Sequence, residues 1–256
     1  MKINSILILA AGMGTRLKPL TNDLPKSLLP LGDTNILRNL IVLSQNYFPD
    51  TKIYINTSYL AEKIISEISK FPVIDRPYII WEPSPIGPAF TVSEYCKRNN
   101  HNVLVIHGDT YFSDLAFSQF VNSINQKKKD VSILLCHQRR RDKARSEIVE
   151  KDGVIFSIIE KSVPELNRSL TQSLTTEYIW SSSGAIVVKR NALLNFSPEL
   201  HESISPTLIN YIAINETLYL EKCTSDRISI DDEKSYLEAI KLNNSNPRLF
   251  DRSIRH

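Results

Sequence analysis

Short apolar runs alternate with amphipathic stretches through the first half of the chain. Residues 6–10, 52–56, 78–81 and 103–106 read as strands, the first and last continuous enough to be buried on both faces. Between them, residues 36–45, 61–70 and 90–97 carry apolar side chains at helical spacing. That alternation predicts βαβ units in a parallel, doubly wound sheet with helices on both faces. The second half is mixed. Residues 131–137 and 179–188 read as strands, and 147–151 and 155–160 flank Asp152-Gly153, a hairpin signal. Residues 218–222 and 227–230 are shorter strand candidates, and 233–242 has the pattern of a closing helix. No linker and no internal repeat interrupts residues 1–242, which are expected to form one domain. Residues 243–256 are expected to be a frayed polar tail.

The segment after the first strand, LAAGMGTRLKPLTNDLPK at positions 9–26, fits neither period. Gly12 and Gly14 permit unusual backbone angles, and Pro19 and Pro25 interrupt regular hydrogen bonding. An irregular loop at the carboxyl end of a buried strand is where open α/β sheets bind ligands. Its G-x-G-T-R pattern is neither the dinucleotide fingerprint nor a P-loop. Backbone N–H groups near Gly12 and Gly14 could line an anion-binding concavity, with Arg16 as a planar fork and Lys26 as a point charge. Asp109 follows the apolar strand at 103–106, also at the ligand end of the sheet, where a hard carboxylate suits Mg²⁺.

Composition narrows the classes without naming one. The chain has 256 residues, with 42% hydrophobic and 23% charged residues, ordinary values for a globular protein. A net charge of +3 is too small to point to nucleic acid. Lys127-Lys128-Lys129 and Arg139-Arg140-Arg141 lack interleaved aromatics and read as solvated loops. No apolar run approaches the ~20 residues of a membrane helix, and Met1-Lys2-Ile3-Asn4 leads into a strand without a signal-peptide layout. Cys96, Cys136 and Cys223 are odd in number and far apart, as expected of reduced thiols in the cytoplasm. The five histidines have no metal-ligand spacing, and His107 is expected to pack or to line a site rather than to act as a base.

Leu9-Ala10-Ala11-Gly12-x-Gly14-Thr15-Arg16-Leu17-x-Pro19-Leu20-Thr21, followed by Leu24-Pro25-Lys26-x-Leu28-Leu29-Pro30, resembles the signature of the sugar-1-phosphate nucleotidylyltransferases. The resemblance continues more thinly over nearly the whole chain, and residues 108–115 lean toward hexose- and heptose-1-phosphate guanylyltransferases. It implies a three-layer α/β, Rossmann-like nucleotide-diphospho-sugar transferase fold with a mixed, mostly parallel twisted sheet. Residues 1–125 would form the nucleotide part and 126–242 the sugar part. The implied reaction joins an NTP and a sugar 1-phosphate into an NDP-sugar and pyrophosphate, with Mg²⁺ as cofactor and neither nucleic acid nor a membrane as partner. Leu9, Ala10, Ala11, Gly12, Gly14 and Thr15 would wrap the nucleotide. Arg16 would meet the leaving pyrophosphate, Lys26 the α-phosphate, and Asp109 the metal. Glu160 and Lys161 match the family's E-K pair and would hold the sugar hydroxyls and phosphate.

Four stretches depart from the family pattern. Residues 82–90 keep Glu82 and Gly87 for the nucleobase but place Pro88 and Phe90 where threonine and glycine are expected. Arg145-Ser146 replaces an expected Tyr-Gly, and Ser182-Ser183-Gly184 replaces Asn-x-Gly, leaving Ser183 and Gly184 as the sugar contacts. Ser229 stands at the second metal carboxylate. Asp231, two residues on and on the same strand face, is expected to replace it. Two alternatives stay open: a catalytically weakened nucleotide- or nucleotide-sugar-binding module, and a cytidylyltransferase for a small alcohol phosphate.

Overall fold

The computed structural model describes residues 1–140, 146–160, 178–200, 202, 204–223 and 226–245. The first apolar run forms β1 (Ser5–Leu9), in which Ile6, Leu7 and Ile8 are fully buried. Continuous apolarity reflects its central place. Two small strands follow, β2 (Pro30–Leu31) and β3 (Thr34–Asn35), paired with each other. β4 (Lys52–Thr57) lies parallel to β1 on one side and β6 (Val103–His107) on the other, while β5 (Tyr78–Trp81) extends the parallel run beyond β4.

The second half joins the same sheet. β8 (Ser132–Arg140), β9 (Ser146–Lys151), β10 (Val154–Glu160), β11 (Tyr178–Val188) and β12 (Leu218–Lys222) complete nine strands in the order β5-β4-β1-β6-β11-β8-β12-β10-β9. β11 runs antiparallel to both β6 and β8, and β9 and β10 form the hairpin signalled by Asp152-Gly153. A separate ribbon pairs β7 (Thr110–Phe112) with β13 (Arg227–Ser229).

Alternation along β1 divides the core into two layers. Ile6 and Ile8 pack with Leu37 and Leu40 of α1 (Ile36–Tyr47), Ile64 of α2 (Ala61–Ser69) and Phe117 of α4 (Asp114–Gln126). Leu7 faces the other way, toward Ala89 and Val92 of α3 (Pro88–Arg98) and Leu208, with α5 (Asn210–Asn215) in the same layer. Each such aliphatic side chain contributes roughly 1.5–3 kcal/mol when buried. Asn35 caps α1 by accepting from Arg38 N at 2.8 Å, and Ser113 caps α4 by accepting from Ala116 N at 3.2 Å.

Several boundaries differ from the sequence expectation. α3 starts at Pro88 rather than residue 90, because proline at the first helical position loses no hydrogen bond. Helix α4 and the π-helical turn Ile204–Ile209 leading into α5 were not anticipated, although Ala116, Phe117, Phe120, Val121 and Ile124 do have helical spacing. The closing helix α6 (Glu233–Ser245) runs three residues past its expected end. Asn243 is tied down there, donating to Leu31 O at 2.8 Å, so the polar stretch from 243 begins as helix rather than as frayed tail. Arg139 and Arg140, expected in a loop, end β8 instead. The strand expected at 227–230 stops at Ser229.

Gly108 follows β6 where the chain crosses the end of β1, its N–H donating to Leu9 O at 2.8 Å. A Cβ there would lie 2.4 Å from that same carbonyl oxygen, which is backbone and cannot yield. Gly108→Ala is therefore expected to destabilise the fold by about 1–3 kcal/mol. The check is the urea midpoint at constant m-value; an unchanged midpoint would refute the close approach.

Candidate active site

The loop leaving β1 is fastened at its root. Ala10 N donates to Asn56 Oδ1 of β4 at 2.7 Å, and Asn56 Nδ2 donates to Glu82 Oε1 at 3.0 Å. Thr91 Oγ1, from the first turn of α3, donates to the same Glu82 oxygen at 2.6 Å. Glu82 is buried, 5% exposed, yet it lines a cleft of about 210 Å³ together with Leu9, Ala11, Gly12, Gly87 and Asp109. Both donors converge on Oε1. Among the described residues nothing donates to Oε2, which is left to a ligand.

Further along, the loop turns back on itself. Gly14 sits at φ 63° with the position of an added Cβ only 3.0 Å from Lys26 Cβ, and Thr21 Oγ1 donates to its carbonyl at 2.8 Å. Thr15–Leu17 makes a single 3₁₀ turn followed closely by Pro19, and Lys26–Leu28 makes another between Pro25 and Pro30. This folding brings Lys26 beneath the loop, its side chain 11% exposed, while Arg16 stays 58% exposed at the rim.

Four charges then meet. Lys26 Nζ lies 2.6 Å from Asp109 Oδ2 and 3.9 Å from Asp231 Oδ1, and Arg16 Nη2 lies 3.1 Å from Asp231 Oδ1. Burial pushes the Asp109 carboxyl upward, but the Lys26 ammonium, helped by Arg227, holds it below the usual carboxylate range. Asp109 is thus a carboxylate held beside a cation. Burial keeps His107 neutral, and it lines the cleft beside Asp109 as a wall. Asp231 reaches the cluster from the turn after β13, not from the strand itself: Ile230 N donates to Asp109 O at 2.9 Å, and Asp231 N donates to Ser235 Oγ at 2.9 Å.

Ser229 does not face the carboxylates freely, because its hydroxyl accepts from Arg227 Nη2. Ser183 is also turned inward, fully buried, with Oγ 3.0 Å from His137 Nδ1. The position of a Cβ on its neighbour Gly184 would fall 2.5 Å from Thr110 Oγ1. Of Glu160 only the backbone, at the end of β10, is described, and Lys161 and Arg145 lie outside the described residues. Asn56 and Arg227 escaped the sequence reading: one sits inside a strand pattern, the other in a short strand with no motif around it.

Two hard carboxylates flanking one ammonium suit a small divalent cation that takes its remaining ligands from phosphate oxygens and water. Among the described residues no group of three or more histidine, cysteine or acidic side chains could hold a metal by itself. No helix of the described residues is long and apolar enough to cross a membrane. A loop at the carboxyl end of an interior strand, two cations and a buried acceptor in the adjoining cleft form a crevice at the carboxyl ends of the parallel strands, where open α/β sheets bind ligands. Residues 5–223 match the family model described as Nucleotidyl transferase, and the chain belongs to that family.

Its relatives cover it unevenly. The bifunctional protein GlmU of Methanococcus maripaludis is 35% identical over 108 residues, 42% of this chain and 25% of that protein. This chain thus spans only about a quarter of that relative's length. The D-glycero-alpha-D-manno-heptose 1-phosphate guanylyltransferase of Campylobacter jejuni is 27% identical over 158 residues, 60% of this chain and 67% of that protein. Among solved structures, HddC from Yersinia pseudotuberculosis complexed with GMP-PN superposes with a TM-score of 0.69 at 21% identity, covering 94% of this chain and 99% of that one.

Proposed function

We propose that the protein transfers a nucleotidyl group from an NTP to a sugar 1-phosphate, releasing pyrophosphate, and that the NTP is GTP. The observation that carries the transfer reading is the convergence of Lys26, Asp109, Asp231 and Arg16 at the mouth of the Glu82 cleft. In the reaction an oxygen of the sugar phosphate attacks the α-phosphorus of the NTP. A new P–O bond forms as the α–β bridging bond breaks. No general base is required, because a phosphate monoester is ionised near neutral pH. The obstacle is repulsion between two anions, which positioned cations relieve. Lys26 holds the α-phosphate, exposed Arg16 takes the departing pyrophosphate, Glu160 accepts from the sugar hydroxyls, and Lys161 holds the sugar's phosphate. Asp109 and Asp231 would hold Mg²⁺, which supplies charge neutralisation on the polyphosphate when bound. The part up to residue 125 handles the nucleotide and the part from 126 the sugar. A cytoplasmic setting fits the three free cysteines.

Glu82 supports guanine. Guanine presents two adjacent donors, N1–H and the N2 amino group, on the edge that a carboxylate can meet. Uracil and thymine offer one N–H between two carbonyl oxygens, which a carboxylate repels. Cytosine puts an unprotonated nitrogen beside its amino group. A buried acceptor left without a donor is costly, so the wrong base is strongly disfavoured.

Pyrophosphate release from each of four NTPs against a panel of sugar 1-phosphates tests the proposal. GTP is expected to lead UTP at least a hundredfold in kcat/KM. Tight GTP binding with no turnover against any sugar would instead establish the binding module. Asp231→Ala is expected to lower kcat at least tenfold, about 1.4 kcal/mol, and to raise the Mg²⁺ concentration needed for half-maximal rate. Full activity in that variant would remove Asp231 from the metal site.

A further inference from the structure

Arg227 is a cation that the transfer reaction, as outlined, leaves unused. It begins β13, and three groups hold its guanidinium in place. Nε donates to Ser183 O at 2.9 Å, Nη2 donates to Ser229 Oγ, and Nη1 lies 3.5 and 3.4 Å from the two ring nitrogens of His137. None of these partners is negative. Among the described residues no carboxylate comes within ion-pairing distance of it. His137 is neutral, driven down to about 3 by burial and by Arg227 itself.

A partly buried guanidinium fixed by neutral acceptors is costly unless an anion completes it. Asp109 and Asp231 lie close enough to act on its charge without pairing with it. Both are engaged with Lys26. Arg227 therefore stands between the carboxylate cluster and β11, the strand that carries Ser183 and Gly184. Position 229 decides whether its charge is available. A carboxylate there, as the family pattern expects, would pair with the guanidinium and cancel it; the hydroxyl only orients it.

Resting on the transfer reading above, we propose that Arg227 binds the phosphate group of the incoming sugar 1-phosphate, and that Ser229 serves to hold its guanidinium without neutralising it. Guanidinium suits this role because its fork matches two phosphate oxygens at once. Near the carboxylates it would bring the attacking phosphate up to an edge that two negative side chains would otherwise repel. The same chemistry exists in the NTP's own phosphates, so the two sources must be separated.

Thermal shift measurements do this with inorganic phosphate, α-D-mannose 1-phosphate and GTP–Mg²⁺ as probes. For the first two, the concentration giving half the stabilisation is expected to rise at least tenfold in R227Q. S229D should lose the same response while keeping the wild-type Tm in buffer, because its new carboxylate occupies the guanidinium. That variant answers the objection that R227Q merely folds poorly. GTP–Mg²⁺ should stabilise all three proteins at concentrations within twofold of one another. A wild type indifferent to phosphate, variants that respond as wild type does, or an equal loss toward GTP would each overturn the assignment. The transfer reading fails separately, if wild type releases no pyrophosphate from GTP with any sugar 1-phosphate while the phosphate response follows the pattern above.

Discussion

Asp109→Asn is expected to lower kcat at least a hundredfold, about 2.7 kcal/mol of transition-state stabilisation, with the fold intact. Asparagine keeps the size of the side chain and one acceptor oxygen, so Lys26 Nζ, now 2.6 Å from Asp109 Oδ2, retains a hydrogen bond. What disappears is the negative charge at the carboxyl end of β6. Lys26 is then drawn more strongly to Asp231, at present 3.9 Å away, and on the proposed function would be less available to the α-phosphate. On the proposed function, the Mg²⁺ site would lose one of its two protein carboxylates by the same substitution. Circular dichroism and Tm separate this from unfolding, and a Mg²⁺ titration locates the loss. Retention of more than about a tenth of wild-type kcat, a change under roughly 1.4 kcal/mol, would take Asp109 out of the reacting centre.

Glu82→Gln has the second large effect, on selectivity rather than rate. The local network fixes the outcome, because Asn56 Nδ2 and Thr91 Oγ1 both donate to Oε1. A glutamine must leave its carbonyl oxygen with these two donors, so its amino group replaces Oε2 toward the cleft. A donor then stands where guanine also presents donors, while the carbonyl oxygens of uracil become acceptable partners. The GTP-to-UTP ratio of kcat/KM is expected to fall at least a hundredfold, or about 2.7 kcal/mol, within the range that polar discrimination supplies. Competition assays with both nucleotides measure the ratio directly. If it stays within threefold of wild type, the base is read by another group.

Legibility in the sequence followed locality. The strands at 52–56, 78–81 and 103–106 emerge close to the expected positions because each depends on its own apolar run, and the loop at 9–26 announces its irregularity in glycine and proline. The match of Lys26 with Asp109 was visible only as two motif residues; their 2.6 Å contact depends on two strands meeting in the sheet. Asp231 was chosen for a shared strand face with Ser229, yet it arrives from a turn stapled by Ser235, because β13 ends two residues before it. Asn56 and Arg227 carried no signal at all. A polar residue inside a strand pattern declares its partners only when neighbouring strands are known, and both residues act across such neighbours. Ser183 shows another limit: its place in the motif could not reveal that, beside the register shift in β11 between Ser182 and Ile186, its hydroxyl lies 3.0 Å from His137 Nδ1.

The position of β11 has a further consequence. It is hydrogen-bonded to β6 on one side and to β8 on the other, so a strand from late in the chain welds the early parallel strands to the later ones. The early and late parts of the sheet consequently cannot swing apart like jaws on a hinge; opening between them would break a row of backbone hydrogen bonds between β6, β11 and β8. On the proposed function, substrates and product would have to pass by movement of loops at the sheet's rim, with the sheet itself fixed. For the same reason neither half can be exchanged as a cassette without severing that row of hydrogen bonds, and remodelling is confined to segments around a fixed floor.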